Sequence, residues 1–477
     1  MNLYLISPEI ILFVAAAAVI LLDLVTSDKQ KLAGLSIFGI IVAAVLAITL
    51  WGTQATSFND ILLADSFSVF FRLLFLGIAA LIILASRDYA GRLSGFVGEY
   101  YALVLLSTIG MMLMASTGEL ISLYISLELA SISLYALAGF LKDKKSSEAS
   151  LKYLLLGGIS SAVLLYGMAL VFGLTGTTHL AKIAQSPALS AGLMGNPALL
   201  LGVIFMVAGF GFKIAAVPFQ MWVPDVYEGA PTTVTAFLSV ASKAAGFAII
   251  MRVFFTAFAA PQTLAIEWGV VFAVLSAISM TIGNVVAIAQ GNVKRMLGYS
   301  SIAQAGYVMV GIATTSALGQ SSVMFFLASY ALTNLGAFIV IIAITNKTGS
   351  DLVADFSGMA KRAPLLALAL TFCLISLTGI PPTAGFIAKV YIFNAAVQNQ
   401  LAWLVVIGVI NSVISAYYYL RVVKVMYLGA PASEEEVPSS SALRTTVALS
   451  TLGVLILGLI PGPLMRIAET AAKVLPH

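Results

Sequence analysis

The sequence predicts an all-α polytopic membrane protein with about fourteen transmembrane helices, including two inverted five-helix repeats that contain broken helices. Of its 477 residues, 61% are hydrophobic and only 9% are charged, whereas soluble domains carry roughly 25% charged residues. Apolar runs of about 20 residues, the length that crosses a bilayer as a helix, recur along the whole chain. Two of these runs carry a lysine beside a Gly/Pro interruption. Together these observations exclude a soluble fold.

The apolar runs follow one another with short connections, and no soluble domain fits between them. They cover residues 5–25, 33–51, 66–85, 99–116, 118–140, 151–174, 197–217, 232–256, 267–289, 299–316, 321–346, 364–395, 399–429 and 443–464. We expect four parts, namely an N-terminal three-helix segment, repeat 1, repeat 2, and a C-terminal helix with its tail. Their predicted ranges are 1–98, 99–256, 267–429 and 430–477.

The basic residues between the runs and near their ends predict the orientation. Fifteen fall on one side: Lys29, Lys31, Arg87, Arg92, Lys142, Lys144, Lys145, Lys294, Arg295, Lys347, Lys361, Arg362, Arg421, Lys424 and Arg444. Only four fall on the other: Lys182, Arg252, Arg466 and Lys473. Because cytoplasmic loops carry the excess of Lys and Arg, the first side is predicted to be cytoplasmic. An even number of spans then places both termini outside.

Several classes of site are excluded by composition. The single cysteine, Cys373, cannot form an intramolecular disulfide or a multi-thiolate metal site. The two histidines, His179 and His477, cannot supply a haem or zinc site from this chain alone. No basic patch is interleaved with aromatic residues, so nucleic acid is not an expected partner.

Charged residues inside the apolar runs hold most of the functional information. A charge near the bilayer centre costs at least about 2.5–3.5 kcal/mol on insertion scales, and such residues commonly mark ion pathways. Six charged residues inside these runs are singled out: Arg72, Glu128, Lys152, Lys213, Lys243 and Lys389. We expect Arg72, which opens its run, to extend toward the interface.

Glu128 and Lys213 are the first candidates for a proton pathway. Glu128 lies mid-span among serines, which can hydrogen-bond between helices, and the alternative is a structural carboxylate. Lys213 lies between glycines and Pro218, a pattern that predicts an interrupted helix whose freed backbone groups face protein or water. A lysine with a movable anion can act as a protonation switch, and the alternative is a side chain that extends to the interface.

Lys243 and Lys389 continue this pattern. Lys243 is flanked by small residues, and Lys389 follows a Gly/Pro break at residues 379–385. Interrupted segments in matching positions of two halves mark the transport site of repeat-built transporters. The two lysine-bearing broken runs therefore indicate an internal duplication with five spans per repeat. An odd number of spans inverts one repeat relative to the other.

Three further residues keep two interpretations each. Lys152 lies near the start of its helix and is either interfacial or part of the relay. Asp225 and Glu228 lie in a predicted cytoplasmic connection that contains no Lys or Arg. They form either an acidic mouth for proton entry or a solvated acidic turn.

Four sequence strings resemble those of the antiporter-like membrane subunits of respiratory complex I. They are residues 222–233 (WVPDVYEGAPTT), 242–246 (SKAAG), 294–307 (KRMLGYSSIAQAGY) and 379–386 (GIPPTAGF). The wording of residues 225–231, with lysine at position 389, resembles the N-type subunit of proton-pumping NADH:quinone oxidoreductase. The resemblance extends over essentially all fourteen runs. The chain ends soon after the last run, without the long lateral helix of the L-type subunit.

The resemblance implies the residues of a proton path. Glu128 matches the acid partner, Lys213 the lysine of the first broken helix, Lys243 the connecting lysine and Lys389 the lysine of the second broken helix. Lys152 matches a lysine often placed in the relay. The sequence departs from the family string at position 304, where Gln304 replaces histidine. A titratable step at that position is therefore in doubt.

The resemblance also implies the partners and the cellular location. It implies no cofactor in this chain, since FMN and iron–sulfur clusters belong to partner subunits, and NADH and quinone are reached only through the whole complex. Expected partners are other membrane subunits, including antiporter-like ones, in the lipid bilayer of a bacterial inner membrane. Two alternatives stay open at this point: a subunit of a multi-subunit sodium/proton antiporter, and a structural membrane anchor.

Overall fold

The computed structural model describes residues 2–26, 28–87, 95–431, 435–437 and 440–476. Arg92 and His477, which entered the sequence predictions, lie outside the described residues. The N-terminal part has three long helices and a small antiparallel hairpin. Its elements are a 3₁₀ turn (Leu3–Ile6), α1 (Ser7–Val25), α2 (Gln30–Thr49), β1 (Ala55–Ser57), β2 (Leu62–Ala64) and α3 (Ser66–Ser86). Ala55 pairs with Ala64 in the hairpin.

The middle of the chain folds into two successive groups of helices. The first group is α4 (Val97–Ser116), α5 (Leu120–Ala138), α6 (Lys144–Thr175), α7 (Leu180–Ile183), a 3₁₀ turn (Pro187–Leu189), α8 (Gly192–Gly195), α9 (Pro197–Ile214), α10 (Trp222–Gly229), α11 (Thr232–Phe237), a π-helical segment (Leu238–Ser242) and α12 (Lys243–Ala257). The second is α13 (Gln262–Ile288), α14 (Val293–Ala313), α15 (Ala317–Thr348), a 3₁₀ turn (Val353–Phe356), α16 (Met359–Arg362), α17 (Pro364–Thr378), α18 (Ala384–Gln398) and α19 (Ala402–Leu428). Two helices follow, α20 (Ser441–Leu459) and α21 (Gly462–Ala472).

The predicted multi-pass architecture is confirmed. Twelve described helical segments are long and apolar enough to cross a membrane. The predicted runs 299–316 and 364–395 correspond to α14 and to the pair α17/α18, which are not among these twelve. The count of fourteen and the division into repeats therefore stay predictions.

Both predicted helix breaks are present. α9 ends at Ile214 and is followed by Ala215 in the left-handed conformation, with φ 60°. α17 ends at Thr378 and is followed by Gly379, with φ 91°. A left-handed residue directly after the last turn is a common helix terminator. Prolines follow both breaks and cannot donate a backbone hydrogen bond to a continuing helix.

The two groups of helices share a detail of packing. A Cβ added to Gly110 of α4 would meet the backbone of α5, at 2.6 Å from Ala130 N and 2.9 Å from Ser126 O. A Cβ added to Gly283 of α13 would meet the backbone of α14, at 2.6 Å from Ala303 N and 2.9 Å from Tyr299 O. The same sequence offset separates the members of each pair. In this register Glu128 corresponds to Ser301, and Ser131 corresponds to Gln304.

The segment from α11 to α12 and the long helix α15 form the centre of the molecule. Nearly all of their residues are buried, whereas α2, α6, α19 and α20 expose one apolar face. A helix that is apolar all round belongs in the interior of a bundle. The central position of α12 and α15 brings the charged side chains of the two groups toward a common interior.

Candidate functional site

Lys213 lies in the last turn of α9 and its side chain is buried. Its ammonium donates a hydrogen bond to Ser131 Oγ of α5. Glu128 lies three positions before Ser131 and therefore on the same side of that helix. The Glu128 carboxylate accepts a hydrogen bond from Ser161 Oγ of α6. Lys213 thus contacts the side of α5 that carries Glu128, and the two charged groups form no direct ion pair in this structure.

Aromatic side chains surround the Lys213 end of α9. The Lys213 ammonium lies 5.6 Å from the centre of the Tyr135 ring, and the Tyr135 and Tyr153 rings meet at 4.6 Å. The Trp222 indole donates to the carbonyl oxygen of Phe212 at 3.0 Å, which satisfies one carbonyl freed by the break. Both tyrosine hydroxyls are buried without a hydrogen-bond partner among the described residues. Such groups are usually satisfied by ordered water.

Lys243 is the first residue of α12, directly after the π-helical segment. Its buried ammonium donates to the carbonyl oxygen of Ser301 at 2.6 Å and to Ser301 Oγ at 2.8 Å. The Ser301 hydroxyl in turn lies 3.3 Å from the Tyr227 hydroxyl of α10. Short π-helical segments frequently occur at functional sites. Lys243 therefore links the first group of helices to α14 of the second group.

Lys389 lies on α18 and is held at the end of α17. Its ammonium donates to the carbonyl oxygen of Thr378 at 2.8 Å, to that of Leu377 at 3.3 Å and to Ser412 Oγ at 3.0 Å. It also lies 4.2 Å from the centre of the Tyr307 ring. The carbonyl end of a helix carries partial negative charge. The break in α17 therefore supplies a polar seat for a buried cation.

The two breaks differ in where the lysine lies along the chain. Lys213 precedes its break, on the first half-helix α9, whereas Lys389 follows its break, on the second half-helix α18. Both lysines are still close to the carbonyl end of the first half. The two groups of helices therefore place a lysine at a similar location from opposite sides of the break, in the order that the sequence shows.

Lys213, Lys243 and Lys389 differ in their surroundings from another buried lysine, Lys294. Within the described part of the chain, no carboxylate oxygen lies within 4.0 Å of the ammonium of Lys213, Lys243 or Lys389. Lys294 is also buried, yet it pairs with Asp351 at 3.2 Å. A buried cation without an adjacent anion is costly, so the hydroxyl and carbonyl oxygens that accept hydrogen bonds from these three ammonium groups must offset that cost.

Gln304 connects to Lys389 through one backbone atom. Its side-chain amide donates at 3.0 Å to the carbonyl oxygen of Leu377, which also accepts from Lys389. Gln304 occupies the position on α14 that Ser131 occupies on α5 when the helix pairs α4/α5 and α13/α14 are compared. The glutamine cannot titrate, but it holds the freed carbonyl that helps to seat the lysine.

Two small cavities accompany the lysines at the breaks. One, lined by Ser131, Lys213 and Ser242 among others, has a volume of about 10 Å³. The other, of about 10 Å³ as well, is lined by residues that include Gln304 and Lys389. Each has room for about one water molecule. Both lysines therefore face a space where a single water can lie.

Lys152 lies apart from the buried lysines, in a charged cavity of about 280 Å³. Its side chain is 43% exposed and pairs with Asp225 at 2.8 Å and with Glu148 at 2.9 Å. Arg295 also reaches Asp225, at 2.7 Å, and Glu228, at 3.2 Å. Asp225 and Glu228 thus have basic partners from α6 and α14, while about a third of each side chain is exposed, so the acidic mouth and the solvated acidic turn both stay predictions.

Two arginines overturn their sequence expectations. Arg72 does not extend to the interface: it is fully buried and pairs with Glu9 of α1 at 2.7 Å. Arg252 does not lie in a connection: it is buried in α12 and pairs with Asp65 at 2.7 Å. Burial raises the pKa of the Asp65 carboxyl, but the charge and hydrogen bonds of Arg252 outweigh it and hold this pKa below its ordinary value. Sequence reasoning missed both acids, although each lies close to the end of an apolar run.

A family model described as "NADH:quinone oxidoreductase/Mrp antiporter, TM" matches residues 117–415, which is more than half of the chain. The chain belongs to this family. The matched region of this antiporter-family chain contains every candidate relay residue: Glu128, Lys152, Lys213, Lys243 and Lys389. The resemblance expected from the sequence strings is confirmed.

Relatives extend the match of this antiporter-family chain beyond that region. The NADH-quinone oxidoreductase subunit N of Dehalococcoides mccartyi is 47% identical, over 98% of this chain and 99% of the relative. Subunit N of Trichlorobacter lovleyi is also 47% identical, over 99% of this chain and 98% of the relative. Both alignments include the N-terminal three helices and the C-terminal end.

Solved structures agree with the fold. A chain of respiratory complex I from Thermus thermophilus matches with a TM-score of 0.82 and 34% identity, covering 97% of this chain and 99% of that one. A chain of the Mrp complex from a Dietzia species matches with a TM-score of 0.84 and 21% identity, covering 100% and 98%. At 21% identity the second match shows a common fold alone.

Proposed function

We propose that this chain is the N-type membrane subunit of a proton-translocating NADH:quinone oxidoreductase. The subunit N relatives, at 47% identity over nearly their whole length, support this assignment over the antiporter alternative. The observation that carries the proton-transport role is the set of three buried lysines without an adjacent carboxylate in the described structure. Each is seated on hydroxyl groups or freed carbonyls, a setting that suits reversible loss of a proton.

The relay runs from Glu128 and Lys213 through Lys243 to Lys389. When the Glu128 carboxylate approaches, it favours the charged form of Lys213, and when it withdraws, Lys213 loses a proton toward Lys243. Each tenfold change in proton affinity corresponds to about 1.4 kcal/mol. The separated arrangement, with Glu128 on Ser161 and Lys213 on Ser131, corresponds to the proton-releasing state.

Lys152 serves as the entrance to this relay on the cytoplasmic side. Its 43% exposed side chain and the cavity of about 280 Å³ support contact with water. Asp225 of α10 links Lys152 to the second half of the first broken helix. Tyr227 on the same helix reaches Ser301, which holds Lys243. This series of contacts supports a route from the cavity toward the buried lysines.

The chain lies in a bacterial inner membrane with both termini outside, and it consists of two inverted repeats over 99–256 and 267–429. The excess of basic residues on one side supports the orientation. Gly110 of α4 packs against α5 in the same way as Gly283 of α13 packs against α14, and this likeness supports the duplication. Segments 1–98 and 430–477 flank the repeats as an N-terminal three-helix segment and a C-terminal helix with its tail.

Redox chemistry belongs to the partner subunits, which bind FMN, iron–sulfur clusters, NADH and quinone. In the described part of this chain, no group of three or more His, Cys, Asp or Glu can hold a metal ion. The buried lysines carry protons and do not contact an electron carrier. The chain couples to the redox reaction through its contacts with other membrane subunits.

Proton pumping by the purified complex in lipid vesicles tests the proposal. Lys389→Met removes the charge and keeps much of the side-chain volume, so we expect slower proton transport per electron with the complex still assembled. Lys361→Met, at an exposed position of α16, is the matched control and should pump normally.

Two outcomes of this experiment would contradict the proposal. If transport required sodium, the antiporter alternative would be correct. If Lys389→Met pumped as well as the control, the chain would be a membrane anchor.

A further inference from the structure

A cavity of about 340 Å³ lies away from the lysine relay, where α21 meets α2 and α3. Its lining residues are Ile48, Trp51, Leu73, Arg466, Ile467 and Thr470. Apolar side chains form most of it, and Arg466 and Thr470 stand on α21. Both ends of this site come from segments that precede or follow the two proposed repeats.

α21 has the character of a helix that lies along the membrane surface. Its alanines Ala468, Ala471 and Ala472 are buried against the protein, while Arg466 and Ile467 are exposed. Helices with one apolar and one polar face lie at the boundary between head groups and acyl chains. Trp51, just beyond the end of α2, is a residue type enriched at that same depth.

Next to the cavity, Gly77 of α3 and the apolar residues Val45 and Ile48 of α2 are exposed, and we call the surface between them the furrow. Leu73 lies seven residues into α3, which corresponds to a depth of about 10 Å. Gly77, one turn further, is exposed, and a Cβ added there would meet no atom within 4 Å. The exposed apolar residues Val45 and Ile48 of α2 form the opposite wall. A chain of methylene groups fits such a furrow.

Arg466, at the opening of the cavity, favours a ligand with an anionic head group. Arg466 has no ion-pair partner among the residues that the structure describes. Its planar guanidinium matches the geometry of a phosphate. A phosphate at Arg466 would place an acyl chain beside Ile467 and Leu73 and into the space above Gly77.

We propose that this cavity is a binding site for an anionic phospholipid, with its phosphate on Arg466 and one acyl chain in the furrow beside Gly77. The site is independent of the proton relay. It would fasten the C-terminal helix α21 to the N-terminal helices α2 and α3, since the lipid contacts all three.

A photoreactive amino acid at position 467 of the full complex, in vesicles containing phosphatidylglycerol, tests the site. We expect a crosslink to phosphatidylglycerol that falls severalfold in the R466Q variant, whereas K473Q on the same helix keeps it. Gly77→Leu fills the furrow with little steric conflict and should also lower the yield. Gly34→Leu, on α2, is the matched control, because a Cβ added to Gly34 also meets no atom within 4 Å.

Three outcomes would overturn the proposal. An R466Q yield equal to that of the parent would remove the phosphate contact. Equal crosslinking of phosphatidylcholine would remove the preference for an anionic head group. A crosslink to another subunit in place of lipid would show that protein covers the cavity. Loss of proton pumping with the lipid crosslink retained would bear on the relay alone.

Discussion

The contact between Lys243 and Ser301 offers a sharp test of how the relay holds a proton. Two oxygens of Ser301, the carbonyl at 2.6 Å and the hydroxyl at 2.8 Å, accept from the Lys243 ammonium. The hydroxyl can do so because it donates its own proton to the carbonyl oxygen of Gly298 at 2.6 Å. Ser301→Ala removes one of the two acceptors and leaves the other in place.

The size of the effect follows from the nature of the lost bond. A hydrogen bond to a charged group contributes about 1.5–3 kcal/mol, and about 1.4 kcal/mol corresponds to a tenfold change in an equilibrium. The charged form of Lys243 should therefore become about ten- to a hundredfold less favourable. We expect the relay to slow by a similar factor, because a proton that leaves Lys213 finds a weaker acceptor.

The assay is the initial rate of proton transport by the reconstituted complex, measured together with its rate of electron transfer. Ser301→Thr keeps the hydroxyl and should restore most of the transport that Ser301→Ala loses. If Ser301→Ala and Ser301→Thr transported protons equally well, the hydroxyl would have no part in seating the lysine. The proposed role of the Ser301 hydroxyl in the relay would then be wrong.

Two further predictions concern stability. Asp65→Asn leaves the buried charge of Arg252 unpaired, so it should lower the unfolding free energy by about 3–5 kcal/mol, with part of the loss recovered in the Asp65→Asn/Arg252→Met double variant. Because the pKa of Asp65 is lowered in the folded state, its contribution is present above the unfolded value of about 3.9. It is lost as the pH falls through the lower folded value, and thermal unfolding of the parent but not of Asp65→Asn should show that loss. Gly110→Ala should impair assembly because its Cβ would meet Ala130 N at 2.6 Å, whereas Gly158→Ala meets no atom within 4 Å and should not; equal assembly of the two would contradict the packing.

Local sequence patterns predicted most of the architecture because bilayer crossing imposes a length and an apolar composition on each helix. The breaks at Ala215 and Gly379 were predictable from neighbouring prolines and glycines. The order of each lysine and its break was also evident from the sequence, but the atoms that the Lys389 ammonium contacts were not. The contact with the Leu377 carbonyl depends on the path of the backbone, which residue identity does not specify.

Long-range ion pairs lay beyond sequence reasoning for a different reason. Arg72 and Glu9 are 63 residues apart, and Arg252 and Asp65 are 187 residues apart. Each arginine had a local interpretation, a residue extending to the interface or a loop residue, that needed no partner. The pairs become evident only once the helices are assembled, since the partners come from separate spans.

Control of the Lys213 proton by Glu128 is the step on which the proposed proton transport depends. Its most direct test is the ratio of protons pumped to electrons transferred by assembled complexes carrying Glu128→Ala or Lys213→Ala. Both variants should transfer fewer protons per electron than the parent complex. Assembled variants that pump with an unchanged ratio would contradict it.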